Sequence, residues 1–162
     1  DAGDGKTDFS ANLPVTLDNF LSTLARQQGM KGIRLEWQID IDSTTTLVVE
    51  GIIDVIEELV ANSQVHAFMA GNGGTVRILM YANAGGVVLE YRDDGKGPIG
   101  VDRSRVFAPF YTTARSEGHM GLGLNIIQNT VHGLYRGKCT LLPGPGFALR
   151  IELPCKVSGT AS

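Results

Sequence analysis

The sequence predicts a two-layer α/β sandwich, in which helices cover one face of a mixed, mostly antiparallel sheet. The hydrophobic periodicity alternates between helix and strand in the order α-β-(β)-α-β-β-α-β-β. Two of the strand pairs are joined by short turns that contain glycine, as hairpins commonly are. A length of 162 residues, of which 43% are hydrophobic and 19% charged, suits a single domain with one core.

The first half of the chain predicts two helices and up to two strands. Residues 14–29 begin with proline, repeat apolar residues at helical spacing and end with glycine, which predicts a helix. Residues 33–41 alternate apolar and polar side chains as a strand does, and the segment "TTTLVVEG" (44–51) predicts a second, short strand. A long helix is expected from about Ile52 to Met69.

The second half predicts two hairpins, with an irregular segment and a helix between them. The hairpins are "TVRILMYA" with "GVVLEYRD" (75–93) and "GKCTLLPG" with "GFALRIELP" (137–154), and the helix is "LGLNIIQNTVHGL" (122–134). Periodicity is lost from Asp94 to about Met120, and long loops of this kind usually form lids or binding segments. We expect one domain over residues 1–162, with loose termini at 1–12 and 155–162.

Composition and spacing exclude several classes of function. A formal net charge of −3 argues against bulk electrostatic binding of nucleic acid. No apolar run approaches the roughly 18–20 residues that span a membrane, and no export signal is visible, so the cytoplasm is the expected location. Cys139 and Cys155 are then expected to be free thiols. The histidines lack zinc-ligand spacing, and no serine lies in a nucleophile elbow.

Glu58 and Asn62 lie four residues apart in the predicted long helix, within "EELVANSQVHAF" (57–68). At about 100° per residue, both stand at the rim of the apolar stripe, where the core meets solvent. A carboxylate and a carboxamide at such a rim could hold Mg²⁺, which prefers oxygen ligands and water. The alternative is that both are ordinary solvated side chains.

Two glycine-containing segments could surround a ligand. In "DDGKGP" (93–98), Asp93 ends a predicted strand and could accept a hydrogen bond from an amino group, although an ordinary Asp-Gly turn is the alternative. In "GHMGLGLNII" (118–127), Gly121 and Gly123 precede or open a helix, where free N–H groups favour phosphate. Close packing is the alternative there.

The segment "RVFAPFYTTARSEG" (105–118) is too apolar for a plain solvated loop. Phe107 and Phe110 could anchor it, or could form a satellite core cluster. Arg103, Arg105 and Arg115 flank these aromatic residues and could reach a phosphate tail as the loop closes. Surface solubility is the other explanation for the arginines.

Together these four segments resemble the ATP-binding catalytic domain of sensor histidine kinases, which belongs to the GHKL superfamily (gyrase, chaperone, histidine kinase and mismatch-repair ATPases). "EELVANSQVHAF" is similar to the asparagine box of that family, and "DDGKGP" to its first glycine box. "VFAPFYTT" is similar to its phenylalanine box, and "GHMGLGLNII" to its second glycine box. The resemblance covers about Leu47 to Pro154 and implies a Bergerat-type sandwich with a long ATP lid at about 99–120.

The resemblance also implies a function. The domain would bind Mg-ATP and donate the γ-phosphoryl group to a histidine on a separate dimerisation domain, in two-component signal transduction. Asn62 would bind Mg²⁺, Asp93 would accept from the adenine amine, and Glu58 and Arg115 would be catalytic. The other nucleotide contacts that it implies are His66, Gly95, Gly97, Phe107, Phe110, Thr113, Gly121, Leu122, Gly123 and Leu124.

The implied partners are ATP or ADP, the histidine-bearing dimerisation domain and a response regulator. Neither nucleic acid nor direct membrane contact is expected. The isolated domain would be a monomer and the parent kinase a dimer, in the cytoplasm or as the cytoplasmic part of a membrane-bound sensor.

The chain departs from the family pattern at a few positions. Val65 stands where the family often has Lys or Arg, and His119 replaces the first glycine of the second glycine box. Phe147 and Ala148 stand where a threonine usually supports the adenine site. These departures leave open a catalytically silent nucleotide-sensing or interaction module. An anti-sigma-type serine kinase on the same fold is a further alternative, although its relatives usually lack the phenylalanine box.

Overall fold

A computed structural model describes residues 12–27, 30, 32–68, 73–96 and 123–155. The helices in this part of the chain are α1 (Leu13–Ala25), α2 (Val49–Asn62) and α3 (Gly123–Tyr135), and a π-helical turn (Ser63–Ala67) follows α2. The strands are β1 (Ile33–Asp40), β2 (Gly74–Asn83), β3 (Gly86–Asp93), β4 (Lys138–Leu141) and β5 (Ala148–Pro154).

The strands form one open sheet in the order β1-β2-β3-β5-β4. β1 and β2 are parallel and are linked through α2, whereas the β2–β3, β3–β5 and β4–β5 pairs are antiparallel. The β2–β3 hairpin turns at residues 84–85, with Asn83 paired to Gly86. The predicted mixed, mostly antiparallel sheet and both predicted hairpins are therefore confirmed.

The core lies between one face of the sheet and the helices. In β2 the buried residues are Val76, Ile78 and Met80, while the alternate residue Arg77 points outward and pairs with Glu36 of β1 at 2.9 Å. The helices contribute an apolar stripe each, and full burial of one such leucine contributes roughly 1.5–3 kcal/mol. The fully buried helical residues include Leu17, Leu21, Ile52, Ile56, Leu59, Ile127 and Val131.

The predicted boundaries of the first two helices need correction. α1 starts one residue before Pro14, with Asn12 accepting from the Val15 N–H, and ends at Ala25 rather than near Gly29. The short strand predicted over 44–51 is wrong, because α2 already begins at Val49. β-Branched residues favour strands only weakly, and here the helical spacing of the buried Val49 and Ile52 decides the conformation.

The second correction concerns the end of the long helix. The α-helix α2 ends at Asn62, and a π-helical turn continues the chain to Ala67. The predicted lid at 99–120 lies outside the described residues, as do most of the predicted loose termini. None of the helices that the structure describes is long and apolar enough to cross a membrane.

Candidate functional site

The candidate site lies at one end of the sheet, where three separate segments meet. Asp93 is the last residue of β3, and Ser63 begins the π-helical turn after α2. Phe147 directly precedes β5, the strand that pairs with β3. Because β3 and β5 are neighbours in the sheet, the end of one strand and the beginning of the other come together here.

The carboxylate of Asp93 is fixed by three hydrogen-bond donors. Its Oδ1 accepts from the backbone N–H of Gly95 at 3.1 Å and from that of Phe147 at 3.0 Å. Its Oδ2 accepts from the Ser63 hydroxyl at 2.8 Å. A carboxylate has about four acceptor sites, so this group, only 5% exposed, keeps one site for a further donor.

Two glycines allow the backbone to approach closely around this carboxylate. Gly146 has a φ of +78°, and a Cβ there would lie 2.1 Å from the Asp93 carbonyl oxygen. A Cβ on Gly95 would lie 2.4 Å from the Ala67 carbonyl oxygen, which accepts from the N–H of Lys96 at 3.0 Å. Glycine is therefore required on both sides of Asp93.

The π-helical turn connects the helix to Asp93. Turns of this kind are rare and often occur at functional sites. Ser63, 2% exposed, also lies 2.6 Å from the hydroxyl of Tyr91, which in turn reaches the Leu59 carbonyl oxygen at 3.1 Å. Burial raises the pKa of Tyr91, with a smaller contribution from the charge of Asp93, so the phenol remains protonated and can donate.

Neither Ser63 nor Tyr91 was predicted as a site residue. Tyr91 reads as an ordinary core position in an alternating strand, and nothing in the sequence shows which groups its hydroxyl would reach. Ser63 directly follows Asn62, and a small polar residue at the end of an apolar helix is the one signal that could have drawn attention to it.

Asn62 and Glu58 lie one turn apart on α2, and both are partly buried, as expected for the rim of an apolar stripe. The Asn62 side-chain nitrogen is buried and has no hydrogen-bond partner among the described residues. An unpaired buried amide is costly, so a group that binds there would gain from pairing with it. His66 is partly buried within the π-helical turn.

The remaining predicted site residues divide into two groups. Gly123 is the first residue of α3, as expected for a glycine that opens a helix, and Leu124 packs against the hydrophobic core. The predicted residues outside the described part of the chain are Gly97, Phe107, Phe110, Thr113, Arg115, Gly121 and Leu122.

Asp94 has a structural position that the sequence did not indicate. Its Oδ1 accepts from the Thr75 N–H at 2.7 Å, and its own N–H donates to the Thr75 carbonyl oxygen at 3.1 Å. These two bonds attach the end of β3 to the beginning of β2. Of the two adjacent aspartates, only Asp93 is buried, whereas Asp94 is exposed.

Comparison with known proteins agrees with this architecture. Residues 47–157 match the family described as "Histidine kinase-, DNA gyrase B-, and HSP90-like ATPase". The chain is 27% identical over 99 residues to the alginate biosynthesis sensor protein KinB of Pseudomonas aeruginosa, an alignment that takes in 61% of this chain and 16% of KinB.

Solved structures show the same fold. The histidine kinase domain of the Erythrobacter litoralis EL346 blue-light activated histidine kinase aligns with a TM-score of 0.63 and 23% identity, over 89% of this chain and 61% of that one. Full-length ShkA in complex with AMPPNP aligns with a TM-score of 0.67 and 20% identity, over 88% of this chain and 30% of ShkA. The chain thus spans only part of these relatives.

The family match covers more than half of the chain, and the structural neighbours have the same open sheet with helices against it. The chain therefore belongs to the histidine kinase-, DNA gyrase B- and HSP90-like ATPases.

Proposed function

We propose that this domain binds Mg-ATP between α2, the end of β3 and the β4–β5 loop, and donates the γ-phosphoryl group to a histidine on a separate dimerisation domain. The observation that carries the proposal is the carboxylate of Asp93, fixed by three donors and left with one acceptor site. Membership of an ATPase family of the histidine kinase type supports the same reading.

In this proposal Asp93 accepts a hydrogen bond from the exocyclic amine of adenine. A fixed acceptor favours a base with a donor at that position and disfavours a base with a carbonyl oxygen there, because a buried acceptor facing another acceptor is costly. Gly95 and Gly146 let the backbone on either side of Asp93 pack closely enough to hold the carboxylate, since a Cβ on either would collide with neighbouring protein atoms.

Asn62 is the proposed protein ligand of Mg²⁺. Its side-chain nitrogen has no hydrogen-bond partner among the described residues, and turning the amide over would place the carbonyl oxygen at that position, where it could bind a cation. When bound, Mg²⁺ would neutralise charge on the phosphates. Gly123, at the beginning of α3, would offer its N–H to a phosphate oxygen, as free N–H groups at helix N-termini commonly do.

The chemical step is a phosphoryl transfer in which a nitrogen of the acceptor imidazole bonds to the γ-phosphorus as the bond to the β–γ bridging oxygen breaks. ADP leaves, and the imidazole gives up its proton. Glu58, one turn before Asn62 at the same rim, is the proposed acceptor of that proton. Positioning and charge neutralisation are expected to supply most of the rate enhancement.

Calorimetric titration with a non-hydrolysable ATP analogue tests the binding half of the proposal. We expect binding that depends on Mg²⁺ and that weakens at least about tenfold in Asp93→Asn, or about 1.4 kcal/mol. Asp94→Asn is the matched control, because it makes the same chemical change one residue away and its oxygen can still accept from Thr75. Equal weakening in both variants, or no binding by the wild type, would contradict the proposal.

The transfer half requires an acceptor. With nucleotide bound, a supplied histidine-bearing dimerisation domain should become phosphorylated in a form that acid removes, and Glu58→Gln should slow this reaction without a matching loss of affinity. The alternative is a nucleotide-sensing module that does not transfer phosphate, which Val65 and Phe147 suggest. Bound nucleotide without phosphohistidine would favour that alternative.

A further inference from the structure

The side chains of Tyr91, Ser63 and Asp93 form a continuous chain of hydrogen bonds that runs from the protein core to the proposed base site. Tyr91 is fully buried, Ser63 is 2% exposed and Asp93 is 5% exposed. The distances are 2.6 Å between the two hydroxyls and 2.8 Å from Ser63 Oγ to Asp93 Oδ2. None of these bonds is exposed enough for water to replace it easily.

The positions of the two hydroxyl protons determine which group donates and which accepts in this series of hydrogen bonds. Ser63 has one proton, which either Asp93 or Tyr91 could accept, and an ionised carboxylate is the stronger acceptor. The single proton of Tyr91 can go either to Ser63 Oγ at 2.6 Å or to the Leu59 carbonyl oxygen at 3.1 Å, and the shorter contact, which needs this proton once Ser63 donates to Asp93, favours Ser63. Tyr91 thus donates to Ser63, and Ser63 donates to Asp93. Each of these two short contacts, 2.6 and 2.8 Å, is then a hydrogen bond, and each bond polarises the next.

Tyr91 also supports the other oxygen of the carboxylate. Its ring packs edge-to-face against the ring of Phe147, with the centroids 6.3 Å apart. The backbone N–H of Phe147 donates to Asp93 Oδ1. One side chain therefore holds both oxygens of Asp93 indirectly, one through a hydroxyl and one through an aromatic contact.

We propose that Ser63 and Tyr91 are positioning residues that orient the free acceptor site of Asp93 towards the base. They would thereby determine how strongly the pocket prefers a purine that carries an amine at C6, as adenine does. This inference rests on the proposed function, because it takes Asp93 as the acceptor of the adenine amine. It goes beyond that function by placing base selectivity in two residues buried beneath the site.

The test compares ADP with purine riboside diphosphate, which lacks only the exocyclic amine. Competition against a fluorescent nucleotide gives both affinities for each variant. In the wild type we expect a preference for ADP of at least about tenfold, the usual value of a hydrogen bond to a charged group. In Ser63→Ala the preference should fall to about threefold or less, mainly through weaker binding of ADP.

Three further variants make the test specific. Tyr91→Phe keeps the ring and loses the hydroxyl, so we expect an intermediate preference. This variant also tests the proposal if Ser63→Ala does not fold. Ser63→Thr keeps a hydroxyl and should recover selectivity. Ser22→Ala removes a hydroxyl that donates to the Asp18 carbonyl oxygen on α1, and should leave the preference unchanged.

The outcomes separate the two proposals. If the wild type does not distinguish the two ligands, or does not bind them, the role of Asp93 in the proposed function fails. If the wild type is selective but Ser63→Ala and Tyr91→Phe weaken both ligands by the same factor, the positioning role is overturned and the proposed function stands. A melting temperature measured for each variant shows that the compared proteins are folded.

Discussion

Gly146→Ala is expected to lower the free energy of unfolding by about 3.5–6 kcal/mol and to abolish nucleotide binding. A side chain at a φ of +78° costs roughly 1–2 kcal/mol on its own. The new Cβ would also lie 2.1 Å from the Asp93 carbonyl oxygen, which is a backbone atom and cannot rotate away. Relieving that contact breaks the reciprocal bonds between Asp93 and Phe147, worth about 1 kcal/mol for the neutral one and about 1.5–3 for the one to the carboxylate.

Urea denaturation followed by circular dichroism measures the loss, and calorimetry measures nucleotide binding. Gly144→Ala is the matched control, because Gly144 also has a positive φ, +125°, but its nearest neighbour is a side-chain nitrogen of Arg92 at 4.0 Å. It should therefore show only the conformational cost and should retain binding. Equal stability of the two variants, or nucleotide binding by Gly146→Ala, would show that the close approach of residue 146 to Asp93 is not needed for stability or for binding.

Three other predictions concern residues away from the site. Gly133 is exposed on α3, and an added methyl group would meet no other segment of the described residues within 4 Å. Gly133→Ala should therefore raise the free energy of unfolding by roughly 0.5–1 kcal/mol in urea titrations, and a lower midpoint would contradict this. Burial raises the pKa of Tyr135 from 10.0 to about 12, so its contribution to stability is intact below pH 10 and is lost as the pH rises towards 12. Melting temperatures should fall across that window, and less steeply in Tyr135→Phe. Burial raises the pKa of both thiols, that of the more deeply buried Cys139 to about 12, so a thiol reagent at about pH 8 should modify Cys155 first, and equal rates would refute this.

The sequence predicted the strands well where burial alternates. In β2 this alternation identifies the core positions, whereas β3 begins with a continuous apolar run, Val87 to Leu89, that is buried throughout. The short turn between the two strands sets the register of the hairpin. Asn62 and Asp93 could likewise be selected, since their positions at a helix rim and a strand end are visible in local patterns. The roles assigned to them remain predictions.

The parts that sequence reasoning missed depend on contacts between distant segments. No local pattern indicates a π-helical turn at Ser63–Ala67, where Ser63 bonds to Asp93 and the Ala67 carbonyl accepts from Lys96. The strand predicted over 44–51 failed for the opposite reason. Its β-branched residues give only a weak preference for a strand, and the helical spacing of the core-facing residues of α2 outweighs that preference.

The position of β5 inside the sheet has a consequence for how the protein is made. β5 lies between β3 and β4, so β4 has no strand partner among the described elements until β5 has been synthesised. Phe147, which fixes Asp93, immediately precedes that strand. A nascent chain on the ribosome would therefore carry a complete α2 and β3 while still unable to hold a nucleotide. We expect ligand binding to appear in one step, and only after β5 has emerged and inserted.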